Sequence, residues 1–455
     1  MLYLTVMAKE RVRYVCSNCG ESSLSWAGKC PHCGAWNTLQ EELVIEAAPG
    51  RLARGGQALA LSSVTELVAN DQRRLGTGMP DVDLVLGGGI VAGSVNLIAG
   101  QPGIGKSTLL LQLASAVAKN HKVLYVSGEE SGHQIGLRAK RLDVQGDALQ
   151  LATSNSADDI AVTISGQVYD LVIVDSIQTI AASAISSAAG SVAQITNSSQ
   201  LLIAAAKQSS TAVVLVGHVT KEGMIAGPKV LEHVVDVVLQ LEGDRYGGFK
   251  VLRATKNRFG PTTEAGIFEM DEHGLKPVDN PSAALLAERQ VSDGSIVLAT
   301  LEGMRPLLVE VQALVNKTSY GYPKRAASGI DLNRVNLLVA MLERRTKLSL
   351  ADQDIYVNIV GGMKIAEPAA DLAVCMAIGS AAKGLQLKAN AVVFGEVGLA
   401  GEVRHVPHID KRVAEARKLG FEAAIGPMQK NGKKLAFLHG VPDIRSALNQ
   451  FLEKD

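Results

Sequence analysis

Through the middle of the chain, short apolar runs punctuated by glycine alternate with stretches of helical period. Val95, Leu97 and Ile98 predict a buried strand, and after a glycine-rich loop a helical apolar pattern opens at Lys106. Further strands are predicted at Val123–Ser127, at 170–176 and at Ala212–Gly217, the last followed by His218. Strands alternating with helices at this pace predict an α/β unit with a mostly parallel sheet and a ligand at the strand C-termini. Val237–Leu241 and Phe249–Arg253 read as the arms of a hairpin. From about Asp279 the rhythm changes to strands at Leu307–Val315, Ile355–Val360 and Ala391–Phe394, with helices at Asn333–Leu342 and Asp410–Leu419. Residues 181–191 (AASAISSAAGS) are too small and too often polar for a firm core, and predict a mobile loop or a loosely packed helix start. Around 41–57 an acidic stretch passes into glycine and arginine, the composition of a linker.

The 455 residues suffice for two or three domains with sizeable cores. Lysine and arginine balance aspartate and glutamate at 45 each, so nucleic-acid binding must come from local patches. No apolar run reaches the length of a bilayer-spanning helix, and MLYLTV is too short for a signal-peptide core. A cytoplasmic protein is expected, with Met1 and Met7 both open as the start.

The chemistry concentrates in three places. Gly100-Gln101-Pro102-Gly103-Ile104-Gly105-Lys106-Ser107-Thr108 fits the phosphate-cradling loop in its required strand–loop–helix context. Glycines let backbone N–H groups face phosphate oxygens, and the helix N-terminus adds partial positive charge. Lys106 can reach the β- and γ-phosphates of ATP, and Ser107 offers a hydroxyl to Mg²⁺. Downstream, Glu129 and Glu130 end one strand, where a carboxylate can orient the attacking water; Glu129 is preferred. Asp175 ends another, the arrangement that holds Mg²⁺. His218 could sense the γ-phosphate, although a lone histidine is more often structural. Lys256 and Arg258 lie two apart on an extended stretch, so both project to one side, either as a solvated basic turn or as charge donors to a neighbour's phosphate.

The third place is the N-terminus. Cys16, Cys19, Cys30 and Cys33 form two CxxC knuckles, each followed by glycine, at the spacing of a structural four-thiolate zinc site. His32 then reads as a surface residue. Trp26 and Trp36 flank the second knuckle, as packing for the ribbon more readily than as a stacking platform for a base. Cys375 stands alone in an apolar stretch and reads as a buried small hydrophobe.

Taken together, the four-cysteine finger, GQPGIGKST, DLVIVD and above all Lys256-Asn257-Arg258-Phe259-Gly260 resemble the bacterial RadA (Sms) family of recombination and repair ATPases, along essentially the whole chain. The resemblance implies a zinc finger over 1–40, a linker over 41–57, a RecA-like P-loop ATPase over 58–278, and an α+β Lon-protease-like domain (S5 domain 2-like) over 279–455. It implies a hexameric ring that hydrolyses ATP with Mg²⁺ and acts on single-stranded and branched DNA during branch migration. RecA recombinase and a replicative helicase are the implied partners, in a nucleoid-associated setting without a membrane. Carried over by position, Lys106, Glu129 and Asp175 are catalytic, and Lys256 and Arg258 act across the subunit interface. The loops 182–190 and 220–230 face DNA, the second through Lys221 and Lys229.

The stretch GEVGLAGEVRHVPHIDKRVAEARKLGF resembles the Lon proteolytic domain, whose Ser–Lys dyad cleaves peptides. Here Pro368-Ala369-Ala370-Asp371 stands at the serine position and Asp410, beside Lys411, at the lysine position. Without a hydroxyl at 369 no nucleophile exists, and an inactive domain serving assembly or DNA binding is implied. Two other functions compete with a DNA-dependent motor: a KaiC-like regulatory ATPase, and an ATP-dependent protease, which Ala369 argues against.

Overall fold

A computed structural model describes residues 10–23, 25–45, 74–144, 148–166, 168–218, 230–243, 248–319, 321–387, 390–429 and 435–453. The linker residues 46–57, Lys221, Lys229, most of the second loop and both candidate start methionines lie outside the described residues. The chain divides into two compact units: Met1–Glu242 with Leu252–Thr262 and Asp271–Leu275, and Gly243–Val251 with Thr263–Met270 and Lys276–Asp455. Two short pieces between 243 and 270 thus belong to the second unit, whose long segment begins at Lys276.

The N-terminal ribbon is a three-stranded antiparallel sheet of β1 (Glu10–Cys16), β2 (Ser22–Ser23) and β3 (Leu39–Ile45), with β1 in the middle. β3 pairs with β1 all the way from Cys16↔Leu39 to Glu10↔Ile45, so the paired strand continues past residue 40 to Ile45. The acidic composition read as linker belongs to a paired strand.

In the first unit the order is α1 (Pro80–Leu86), β4 (Val95–Gly100), α2 (Lys106–Ala118), β5 (Val123–Ser127), α3 (Gly132–Arg141), β6 (Leu149–Thr153) and α4 (Ala157–Ser165). β7 (Leu171–Asp175), α5 (Val192–Ser209), β8 (Ala212–His218), α6 (Val230–Val234), β9 (Val237–Gly243) and β10 (Lys250–Asn257) follow. Six strands run in the order β9-β4-β8-β7-β5-β6, each parallel to its neighbours in that order. Every residue of β4, β5 and β7 is buried, as strands covered on both faces must be, whereas β6 at the edge is largely exposed. Ser131, Ser156 and Ser191 cap α3, α4 and α5, each side chain accepting from the backbone N–H three residues on.

In the second unit β11 (Ser295–Glu302), β12 (Arg305–Lys317), β13 (Arg325–Ser328), β14 (Gln353–Ile359), β15 (Ala391–Val393), β16 (Ala423–Pro427) and β17 (Leu438–Val441) form one mixed sheet, in the order β13-β14-β12-β11-β15-β16-β17. Helices α7 (Leu332–Thr346), α8 (Asp371–Lys383) and α9 (Ile409–Lys418) contribute to its core. Cys375, on α8, is fully buried, as a small hydrophobe should be.

Candidate nucleotide site and metal centre

Register brings the predicted site together. On parallel β8 and β4, His218 stands level with Gly100; on β5 and β7, Ser127 stands level with Asp175. Phosphate loop, strand-end histidine and strand-end carboxylate therefore share the C-terminal edge of one sheet. Gly100 has no room for a side chain: a Cβ there would lie 2.6 Å from the Leu241 carbonyl oxygen on the adjacent β9.

Lys106, on the first turn of α2, is buried. Its Nζ donates to the carbonyls of Gly100 (2.9 Å) and Gln101 (3.1 Å) and to His218 Nδ1 (3.2 Å). Since an ammonium only donates, His218 Nδ1 accepts and Nε2 carries the ring proton. That Nε2 lies 3.2 Å from Glu129 Oε1, an oxygen that also accepts from the Ser176 hydroxyl. Burial pulls the Lys106 ammonium down to about 8 against the opposing pull of Asp175 and Glu129. The hydrogen bond from His218 leads the causes that outweigh burial and hold Glu129 at about 2.

Glu130 is placed differently. Its two oxygens bind both terminal nitrogens of Arg138 on α3, at 2.7 and 2.5 Å. Of the adjacent carboxylates, Glu129 is thus the one joined to His218 and Lys106, while Glu130 is committed to a helix. Asp175 accepts from the Tyr125 hydroxyl at 2.6 Å through Oδ2. Among the described residues no hydrogen bond reaches Asp175 Oδ1, which leaves that oxygen able to take a cation, and Ser107, beside Lys106, carries a hydroxyl of the kind a cation accepts.

Lys256 and Arg258 lie elsewhere. β10 runs antiparallel outside β9, with Thr255 donating to the Val238 carbonyl and Arg258 N to the Asp236 carbonyl. Asp236 in turn accepts from Val95 N at 3.0 Å, at the N-terminal end of six-residue β4. The motif therefore sits one strand length, about 17 Å, from its own phosphate loop. Lys256 Nζ donates to the carbonyls of Glu232 (2.7 Å), His233 (3.1 Å) and Val235 (2.8 Å), closing the C-terminus of α6. Arg258 pairs with Asp236 Oδ1 at 3.0 Å and keeps half its side chain exposed. Asn257 donates to the last carbonyls of α1, Val85 (3.4 Å) and Leu86 (3.2 Å). Gly260 packs on Gly87, where a Cβ on either would meet the other's Cα at 3.1 Å.

The four ribbon sulfurs lie within 4.8 Å of one another, Cys16 to Cys33 at 3.6 Å and Cys19 to Cys30 at 3.7 Å. Tetrahedral thiolates at ~2.3 Å from one ion stand about 3.8 Å apart, so the donor set fits a metal of that kind. Gly20 N and Gly34 N donate to the Cys16 and Cys30 carbonyls at 2.8 and 2.9 Å, which turns each knuckle. His32 is exposed, as expected. The tryptophans lie outside the ribbon core: both rings border Gly28 and Lys29 sits over Trp36, yet Trp26 is 60% and Trp36 71% exposed, because the core of Cys16, Cys30 and Leu39 is too small to cover indole rings.

Residues 181–191 also depart from expectation. The side chain of buried Gln194 on α5 accepts from Ala182 N (2.8 Å) and donates to the carbonyls of Ala182 (3.3 Å), Ile185 (2.8 Å) and Ser187 (3.0 Å). An amide, with two donors and an acceptor, supplies the order that small residues cannot.

In the second unit Ala369 and Ala370 are buried, and Asp371 is paired with Arg334. Asp410 lies in the first turn of α9, and Lys411 donates to the Met304 carbonyl at 3.1 Å. Beside Arg334 on Asp371, a second cation reaches the 367–371 segment: Arg412, fully buried, bound to Glu367 and at 2.7 Å to the Ala299 carbonyl.

Comparison with known proteins agrees with these three parts. Profiles described as "AAA domain", "Rubredoxin metal binding domain" and "Subunit ChlI of Mg-chelatase" match residues 62–224, 14–41 and 331–430. The DNA repair protein RadA of Pseudomonas aeruginosa is 48% identical over 93% of this chain and 94% of its own. Those of Listeria monocytogenes (45% identical; 98% of this chain, 99% of its own) and Bacillus subtilis (47%; 92% and 93%) are similar along the same span.

Proposed function

The chain belongs to the RadA family of DNA repair proteins, recombination and repair ATPases, and we propose that it is a DNA-dependent ATPase motor acting on single-stranded and branched DNA. The observation that carries the reading is the Lys106–His218–Glu129 chain of contacts at the C-terminal edge of the sheet. A nucleotide's phosphates draw Lys106 away from the two loop carbonyls and from Nδ1 of His218. With its Nδ1 partner gone, His218 is free to turn toward the γ-phosphate, and Glu129 loses the donor that weakens it as a base. His218 ends β8, and Lys221 follows three residues later in the sequence. Asp175 and Ser107 would hold Mg²⁺, which when bound neutralises charge developing between the β- and γ-phosphates.

Distance supports a role in trans for Lys256 and Arg258, because a strand's length separates them from their own nucleotide. Arg258, with its exposed guanidinium, is the better placed to stabilise a neighbour's transition state within a hexameric ring. The ribbon thiolates fit structural Zn²⁺. The buried alanine at 369 and the Arg412–Glu367 pair leave neither nucleophile nor lysine base for peptide cleavage. RecA recombinase and a replicative helicase are the proposed partners, in the nucleoid. Among the described residues no helix is long and apolar enough to cross a membrane.

The test is the steady-state ATPase rate with and without single-stranded DNA, beside Lys106→Ala. Stimulation that disappears in the variant is expected. A rate indifferent to DNA would favour a KaiC-like regulatory ATPase, and normal turnover in the variant would overturn the site itself.

A further inference from the structure

Tyr125 is an odd residue for its place. It sits in the middle of β5, a buried strand that is otherwise Val, Leu, Val and Ser, and it is 2% exposed. A phenol carried that deep must hydrogen-bond its hydroxyl or lose about 1–3 kcal/mol, and an aliphatic residue would fill such a strand without the problem. The partner it has is Asp175 Oδ2, at 2.6 Å. Register explains the reach: Tyr125 is level with Ile173 on β7 and Ser127 with Asp175, so Tyr125 and Asp175 share a face one residue pair apart on adjacent strands.

We infer that Tyr125 is a positioning residue for the cation-binding carboxylate: by donating to Oδ2 it fixes the plane of Asp175 and presents Oδ1 to Mg²⁺. The inference rests on Asp175 being the Mg²⁺ carboxylate. Tyr125 has the properties this task requires. The Asp175 carboxylate can only accept, so the Tyr125 hydroxyl is the donor in this contact. A neutral donor orients a carboxylate without cancelling its charge, which a lysine or arginine at the same point would do. The neighbouring ionic groups, Arg138 and Glu130, are already paired with each other. Ser176 completes the arrangement from the next position on the chain, its hydroxyl held by Glu129, so the carboxylates at 129 and 175 are each steered by one hydroxyl.

The experiment titrates Mg²⁺ against the binding of a fluorescent, non-hydrolysable ATP analogue to the full chain, for wild type, Tyr125→Phe and Asp175→Asn, and repeats the binding in EDTA. Phenylalanine keeps the ring and removes only the hydroxyl. Loss of a group that orients a metal ligand weakens metal affinity by roughly 10–100-fold, so the Mg²⁺ midpoint of Tyr125→Phe should rise at least about tenfold. Its affinity in EDTA should stay at the wild-type value. An unchanged midpoint in Tyr125→Phe, with a shifted one in Asp175→Asn, would overturn the inference and leave the site reading intact. Affinity lost equally with and without Mg²⁺ would also overturn it, by showing that Tyr125 only packs. An unchanged midpoint in Asp175→Asn would instead remove Asp175 from the metal, and the role of Tyr125 with it.

Discussion

Lys106 and Glu129 are single residues whose ordinary properties have been displaced by their surroundings, and the displacement can be measured. Burial disfavours the Lys106 ammonium, down to about 8. In the nucleotide-free protein it is therefore about half neutral at pH 8, while bound phosphates favour its charged form. Binding of an ATP analogue at pH 8.5 should accordingly take up protons, seen as a buffer-dependent enthalpy in calorimetry, and Lys106→Met should abolish the uptake. A buffer-independent enthalpy would contradict the geometry. The sign for stability runs the other way from a salt-bridged lysine. Between about 8 and the unfolded value of 10.5 the unfolded chain binds more protons, so this group's destabilising contribution fades as pH rises through that window. Glu129, held at about 2, is ionised throughout the working range and contributes no acid limb there. Lys106 was readable as chemistry from the glycine-rich loop before it, and Glu129 and Asp175 from the apolar runs they follow or close. Tyr125, Gln194 and Arg412 were not, because their work is done with partners 50, 12 and 45 positions away.

Among the elements, the short α6 is the informative case. Only a few residues long, it cannot persist by its own backbone bonds, and Lys256 on β10 closes its last carbonyls with three donated bonds. Lys256→Met should loosen it by about 1 kcal/mol, visible as faster amide exchange over 231–235, whereas Arg258→Ala should leave that exchange unchanged. Equal protection in both variants would mean that the lysine does not hold the helix. In KNRFG, then, the lysine and asparagine close two helices of their own unit, the glycine permits close packing on Gly87, and Arg258 is the member left half exposed. A motif read from sequence as one functional signature is largely a local scaffold around one available cation. Element limits were legible to within a few residues wherever apolar runs were long. The ribbon's end was not, because β3 is acidic and its identity as a strand comes from pairing with β1.

For the whole molecule the question is which chain a residue serves. If Arg258 completes a neighbour's site, mixing Lys106→Ala with Arg258→Ala, each inactive alone, should restore activity. At equal amounts about a quarter of interfaces would join an intact phosphate loop to an intact arginine. No recovery at any ratio would place Arg258 in its own protomer's function.

The sequence by itself determined the order of parts, the phosphate loop and the four-thiolate ribbon, because these depend on residue type and short spacing, while the alanine at 369 gained meaning only from the resemblance to Lon. Tertiary structure decided the rest. Side-chain contacts set Glu129, beside His218 and Ser176, apart from Glu130, which Arg138 holds, and strand register set Tyr125 against Asp175. An antiparallel strand carried Lys256 and Arg258 to the far end of the sheet from their own phosphate loop. A core too small to cover them left both tryptophans exposed. Each of these turns on which residues a strand or helix brings within about 3 Å, and hydrogen-bond chemistry acts only at that range.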